Sequence, residues 1–152
     1  MEKSQEVYVS IEKIKEVSFS FKPFPLPMEE ITLGDNLSLG LSFSFKIDKE
    51  AELFFMQTTV NYIFKNEEDP SLEFTNEITF NVKNLKEVVT EKENNGLEIK
   101  DEFVVMLAGI CIGTTRGLLS SNTKRTDWDC FPLPLLNPKE VVDSMNANSE
   151  EE

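Results

Sequence analysis

The chain has 152 residues, a formal net charge of -13 and no histidine. Its length predicts one domain with a real core, and 39% hydrophobic residues with twelve phenylalanines argue for globular packing over disorder. The acidity excludes nucleic acid and anionic membrane surfaces as partners, and the absence of histidine removes the commonest general base, the commonest metal ligand and any histidine triad.

The opening MEKSQEVYVS has no apolar signal region. A cytoplasmic protein is therefore expected, with Cys111 and Cys130 as reduced thiols. Residues 7–21 alternate: Val7, Val9 and Ile11 share a face, and after a slip near Ile14 the run Val17, Phe19, Phe21 continues. This predicts a strand that is bent or bulged near Lys13. Pro23, Pro25 and Pro27 then forbid helix and central strand, so the chain must cross the surface in extended form. The crossover carries Phe24, Leu26 and Met28, either tucked under as a satellite core or exposed for binding.

Gly34-Asp35-Asn36 is a turn. Leu37, Leu39, Leu41, Phe43, Phe45 and Ile47 alternate with small and polar residues, the clearest strand signal in the chain. After a turn at 48–51, Phe54, Met56, Thr58, Val60, Tyr62 and Phe64 share a face. After a turn at 66–70, so do Leu72, Phe74, Asn76, Ile78, Phe80 and Val82. Short turns between consecutive strands predict an antiparallel meander. Glu67, Glu68 and Asp69 lack the spacing and glycine of a calcium loop and read as turn chemistry. No metal ligand set or cofactor motif is found. Residues 83–100 read as a charged linker with at most one helical turn near Leu85.

Asp101 is the expected N-cap of a long helix. Phe103, Leu107, Ile110, Cys111 and Leu118 fall on one face, expected to pack on the sheet. Val105, Ile112 and Leu119 lie on the far side, and Gly109, Gly113 and Gly117 form a third stripe. The apolar run is shorter than the ~20 residues of a membrane span and contains Arg116, so a buried helix is expected. A helix apolar all round needs cover on both sides. Either the linker and C-terminus of the same chain supply it, or a second copy does; the uniform pattern favours the second copy. Val105, Gly109, Ile112, Gly113 and Gly117 are then the expected subunit interface. Beyond the helix come Trp128 and the extended run Phe131–Pro138, then a short helix with Pro138 at its first position. Residues 1–147 are expected to form one domain, and 148–152 a disordered acidic tail.

The order of parts is bent strand, proline crossover, three-strand meander, long helix, Phe-Pro loop, short helix, acidic tail. Together with Lys15-Glu16-Val17-Ser18-Phe19, the apolar pairs Phe54-Phe55 and Ile63-Phe64, Arg116, and Phe131-Pro132 through Pro138, this resembles the SecB family of export chaperones along nearly the whole chain. The resemblance implies an α+β fold: a four-stranded antiparallel sheet with a crossover loop, one long helix packed on it and a short C-terminal helix. It also implies sheets paired between subunits, long helices sandwiched in a dimer of dimers, and no enzymatic activity. Grooves would hold extended apolar segments of unfolded clients, lined here by Phe24, Leu26, Met28, Trp128, Leu133, Leu135 and Leu136. Glu16 is the acid the resemblance offers for docking the SecA motor, while Ser20 and Gln57 stand where the family carries acids. Those two departures fit a diverged chaperone with its own client, for instance an antitoxin, better than the standard export factor.

Overall fold

The computed structural model describes residues 6–94 and 96–150. Asn95, within the expected Asn94–Gly96 breaker, and the last two residues of the expected tail lie outside them. Four long strands are present: β1 (Tyr8–Phe21), β2 (Leu37–Asp48), β3 (Leu53–Phe64) and β4 (Leu72–Lys83). They form one antiparallel sheet in the order β1-β4-β3-β2, so the crossover carries the chain from one edge of the sheet to the other. The expected irregularity in β1 is two register shifts against β4, between Ile11 and Lys13 and between Glu16 and Ser18.

The strands form where alternation sets an apolar face against a polar one. Cross-strand neighbours share a face, so the pairs Phe54↔Phe80, Met56↔Ile78 and Val60↔Phe74 stack into one apolar surface. Side chains of this kind contribute ~2 kcal/mol each when fully buried, which is what pins the register. The turns have their own chemistry. Asp48 accepts through Oδ1 from the Ala51 N–H at 3.1 Å, and Glu52 takes a φ of 55° to close the hairpin.

Residues 83–100, expected as a linker, contain a 3-10 turn and a small hairpin of β5 (Val89–Glu91) and β6 (Leu97–Ile99). The Glu52 carboxylate accepts from the N–H groups of Asn84 and Leu85 and so ties this segment to the sheet end. Leu85, Val88 and Val89 are buried in the core.

Helix α1 (Asp101–Thr123) crosses the apolar face. It is long and apolar enough by composition to span a bilayer, but here it packs on the strands. Asp101 is its first helical residue rather than its cap; the Lys100 carbonyl accepts from Phe103 and Val104. The buried residues follow the row Phe103, Leu107, Cys111, Thr115, Leu119 and Thr123, with Ala108 and Ile112 beside it. Each step of four residues rotates by about 40°, so the buried stripe winds round the helix as it crosses the twisted sheet. This corrects the fixed-face expectation: Ile112 and Leu119 face the sheet, while Ile110 and Leu118 are only half-buried. Helix α2 (Pro138–Glu150) packs on α1 through Val142. It continues to Glu150, so residues 148–150 are helical rather than a disordered tail.

One polar belt interrupts this core. Asn76 donates to the Thr115 hydroxyl at 2.7 Å, with Thr58 directly across from Asn76 on β3, all three fully buried. On one side lie Phe54, Met56, Ile78 and Phe80; on the other lie Val60, Tyr62, Phe74 and Trp128.

Candidate functional site

The crossover and the Phe-Pro loop meet over an aromatic cluster. Phe24 packs edge-on against Trp128 with centroids 4.8 Å apart and also reaches Phe64 and Phe131. Such pairs add about 1 kcal/mol each beyond their area. The polar ends are satisfied: Trp128 Nε1 donates to the Lys22 carbonyl at 2.9 Å, and the Tyr62 hydroxyl donates to the Phe131 carbonyl at 3.1 Å. Arg116 completes the anchorage. Its Nε and Nη2 donate to the carbonyls of Leu133 and Pro134 at 2.8 and 2.7 Å.

This corrects two expected client contacts. Trp128 and Leu133 are each 2% exposed and fill the chain's own core. Phe24 and Leu26 are half-buried against that same cluster, which is the satellite-core arrangement. Met28 is exposed, and Leu135 projects into solvent at 91% exposure. Leu136 lines a groove.

That groove, of about 320 Å³, runs between β2 and α2 and is lined by Leu39, Leu41, Leu136, Val141 and Met145, with Glu140, Asn137 and Ser144 at its polar margin. It exists because α1 crosses the central strands and leaves the apolar row of β2 only half-covered. Helix α2 cannot close the gap because it is held down on α1: Pro138 sits where a Cβ on Gly109 would be 3.4 Å from its Cγ. Leu39, Leu41, Val141 and Met145 were not among the expected site residues. The signal available was an apolar row on β2 longer than one helix can cover.

The expected subunit interface also divides. Ile112 is buried in the core, Val105 packs against it and Gly109 receives Pro138. Gly113 and Gly117 are exposed, and nothing lies within 4 Å of where their Cβ atoms would stand. With Met106 and the half-buried Ile110 they form an uncharged outer stripe on α1. At the far edge of the sheet, Ile11, Ile14 and Phe21 of β1 are exposed. Glu16 faces the helix side, opposite Asn76, and its carboxylate accepts from Asn122 at 2.6 Å. Gln57 is on the other face, donating to Glu77.

Against solved structures, the chain resembles the SecB-like chaperone Rv1957 of Mycobacterium tuberculosis, in complex with a ChAD peptide from the Rv1956 HigA1 antitoxin. The TM-score is 0.50 at 14% identity, over 84% of this chain and 89% of that one. The fold is SecB-like. It has the four-stranded antiparallel sheet, the long helix and the short C-terminal helix of that architecture. A protein of unknown function from Streptococcus agalactiae also matches, with a TM-score of 0.44 at 13% identity, over 87% of this chain and 98% of that one. No family model and no curated protein matches the sequence. On this SecB-like frame, Arg116 and Tyr62 hold the Phe-Pro loop down, and the β2–α2 groove remains open.

Two consequences follow for stability. Arg116→Met keeps the aliphatic stem but frees two carbonyls, at a cost of about 2 kcal/mol. A urea titration is expected to show that loss, and limited proteolysis faster cutting within residues 131–136. The second concerns alkali. Burial pushes the Tyr62 hydroxyl from 10.0 up to about 12. Burial likewise pushes the Cys111 thiol from 9.0 up to about 12, against a smaller opposite pull from Thr58. Both groups hold their protons more tightly folded than unfolded. Their contribution is complete below pH ~9 and is lost as pH rises towards 12. The urea midpoint is expected to fall across that window, and less steeply in Tyr62→Phe.

Proposed function

We propose that this protein is an ATP-independent holdase that keeps unfolded or partly folded polypeptides from aggregating, acting in the cytoplasm as a homotetramer. The observation that carries the reading is the open apolar groove between β2 and α2 on a SecB-like fold. Client side chains leaving water there gain ~25 cal/mol per Å² of apolar surface buried, and this requires no nucleotide. The outer stripe Met106, Ile110, Gly113 and Gly117 supplies the helix–helix contact between dimers. The exposed β1 edge supplies the pairing within a dimer. Glu16 is engaged by Asn122, and Ser20 and Gln57 are neutral, so SecA docking forms no part of this reading.

The test is suppression of client aggregation, followed by light scattering at stoichiometric ratio. Protection of several unrelated unfolding clients is expected, and no protection of any would sink the proposal. A narrower second reading is a chaperone dedicated to one partner such as an antitoxin. The neighbouring fold bound to an antitoxin peptide favours it. Breadth discriminates: a dedicated chaperone protects one client at a ratio where the others precipitate.

A further inference from the structure

A second cavity, of about 460 Å³, is larger than the β2–α2 groove and shares no residue with it. It lies where the turn between β2 and β3 meets the segment beyond β4. The turn supplies Lys49, Glu50 and Glu52, and the segment supplies Leu85, Lys86, Val89 and Glu91. Leu85 and Val89 are almost fully buried and offer an apolar floor. One wall is locked. Glu52 and Asn84 both hold left-handed backbone, with φ of 55° and 66°, and the Asn84 N–H donates to the Glu52 carboxylate at 2.7 Å. The Leu85 N–H donates to the same oxygen at 3.2 Å. Left-handed residues other than glycine persist only where their surroundings hold them, and they concentrate at binding sites.

The charges over this floor are already sorted. The Glu52 carboxylate is committed to main-chain N–H groups. The Glu91 carboxylate accepts from Lys49 Nζ, the one ion pair among the described residues. Lys86 has no carboxylate partner among them, and Glu50 is exposed and unpaired. Within the Lys49–Glu91 pair the two partners are not equivalent. The Glu91 side chain is 76% exposed and the Lys49 side chain 40%, so water can take over Glu91 more readily than Lys49. Exposed pairs of this kind contribute little to stability, and exchanging one carboxylate for another leaves Lys49 satisfied. The same pair also lines a neighbouring cavity of about 320 Å³, together with Ile47 and Leu97. A group seated on Lys49 therefore has apolar surface on both sides.

We propose that this cavity binds a small monocarboxylate with an apolar body, whose carboxylate replaces Glu91 on Lys49 and whose body lies on Leu85 and Val89. A few convergent polar groups over an apolar floor are what such a ligand needs. Glu91 is then an internal competitor that occupies the carboxylate position when the ligand is absent. Its displacement unties the β5–β6 hairpin from the turn between β2 and β3. Lys86 supplies a second cation in the same lining. The site is independent of the holdase reading, because none of its residues lines the β2–α2 groove.

The test titrates sodium octanoate into the isotope-labelled full protein and follows backbone amide shifts by NMR. Leu85, Lys86, Val89 and Glu91 are expected to shift together along one saturating curve. Lys49→Gln is expected to weaken the affinity by about tenfold, the loss of one charge-assisted hydrogen bond. Glu91→Gln is expected to strengthen it, because the site no longer has to be vacated first. Glu50→Gln removes the same charge without touching Lys49 and is expected to change the affinity less. Octylamine, with the same chain and the opposite charge, is expected not to bind. No saturating shift with octanoate would overturn the proposal, as would equal binding of octylamine or an unchanged affinity in Lys49→Gln. A Glu91→Gln variant that binds no tighter, or a Glu50→Gln variant that gains as much, would overturn the competition by Glu91 and the proposal with it. Shifts centred on Leu39, Leu41 and Val141 would place octanoate in the β2–α2 groove and overturn it too.

Discussion

Trp128→Ala is expected to lower the melting temperature by on the order of 10 °C. The indole is 2% exposed and contacts the rings of Phe24, Tyr62, Phe64 and Phe131. Truncating a buried tryptophan costs ~3–5 kcal/mol, and in a chain of this size each kcal/mol moves the midpoint by roughly 2–4 °C. The Lys22 carbonyl also loses its partner. Differential scanning calorimetry checks the size of the effect. A shift of only a degree or two would mean that Trp128 is not the central packing residue of the loop cluster. Client protection measured well below the midpoint is expected to survive in this variant, because the indole does not line the β2–α2 groove.

Gly113→Leu tests the proposed assembly and should separate two effects of opposite sign. Within one chain nothing lies within 4 Å of the Cβ that the substitution adds, and leucine favours helix over glycine by about 0.8 kcal/mol. A chain that needed only itself would therefore become more stable. At a close helix–helix interface the added side chain has no room, and overpacking there costs typically 1–3 kcal/mol per site. The expected outcome is a fall in mass by light scattering from tetramer to dimer, with far-ultraviolet circular dichroism unchanged. A mass unaffected by the leucine would place the subunit interface elsewhere.

The sheet was legible in the sequence because a period of two survives any packing detail. Leu37 through Ile47 keep one face apolar, Phe54 through Phe64 and Leu72 through Val82 do so except at Thr58 and Asn76, and all three runs form strands. The helix was legible as an element but not in its orientation. Its buried row advances by four residues, so a fixed wheel puts Ile112 and Leu119 on the wrong side. The hairpin Val89–Glu91 with Leu97–Ile99 was hidden because three-residue strands are too short to show a period. Trp128 and Leu133 were misplaced for a different reason. A proline-rich apolar loop has the same composition whether its side chains point into the core or out of it. The decision is made by distant polar anchors, Arg116 and Tyr62, whose carbonyl partners carry no signature in the sequence. Leu39 and Leu41 were not among the expected groove residues because they read only as one face of a strand, and only the geometry of α1 shows how little of β2 it covers.

The belt formed by Thr58, Asn76 and Thr115 has a consequence for how α1 finds its seat. An apolar rod on an apolar sheet can slide by a turn or roll by a side chain at small cost, since one greasy contact replaces another. A single buried amide removes that freedom. Any displaced docking would strand the Asn76 amide in hydrocarbon without the Thr115 hydroxyl, a penalty of ~1–3 kcal/mol. Cohesion comes from the leucines and phenylalanines. The choice among near-equivalent dockings, and with it the fixed separation between β2 and α2, comes from one asparagine and its threonine.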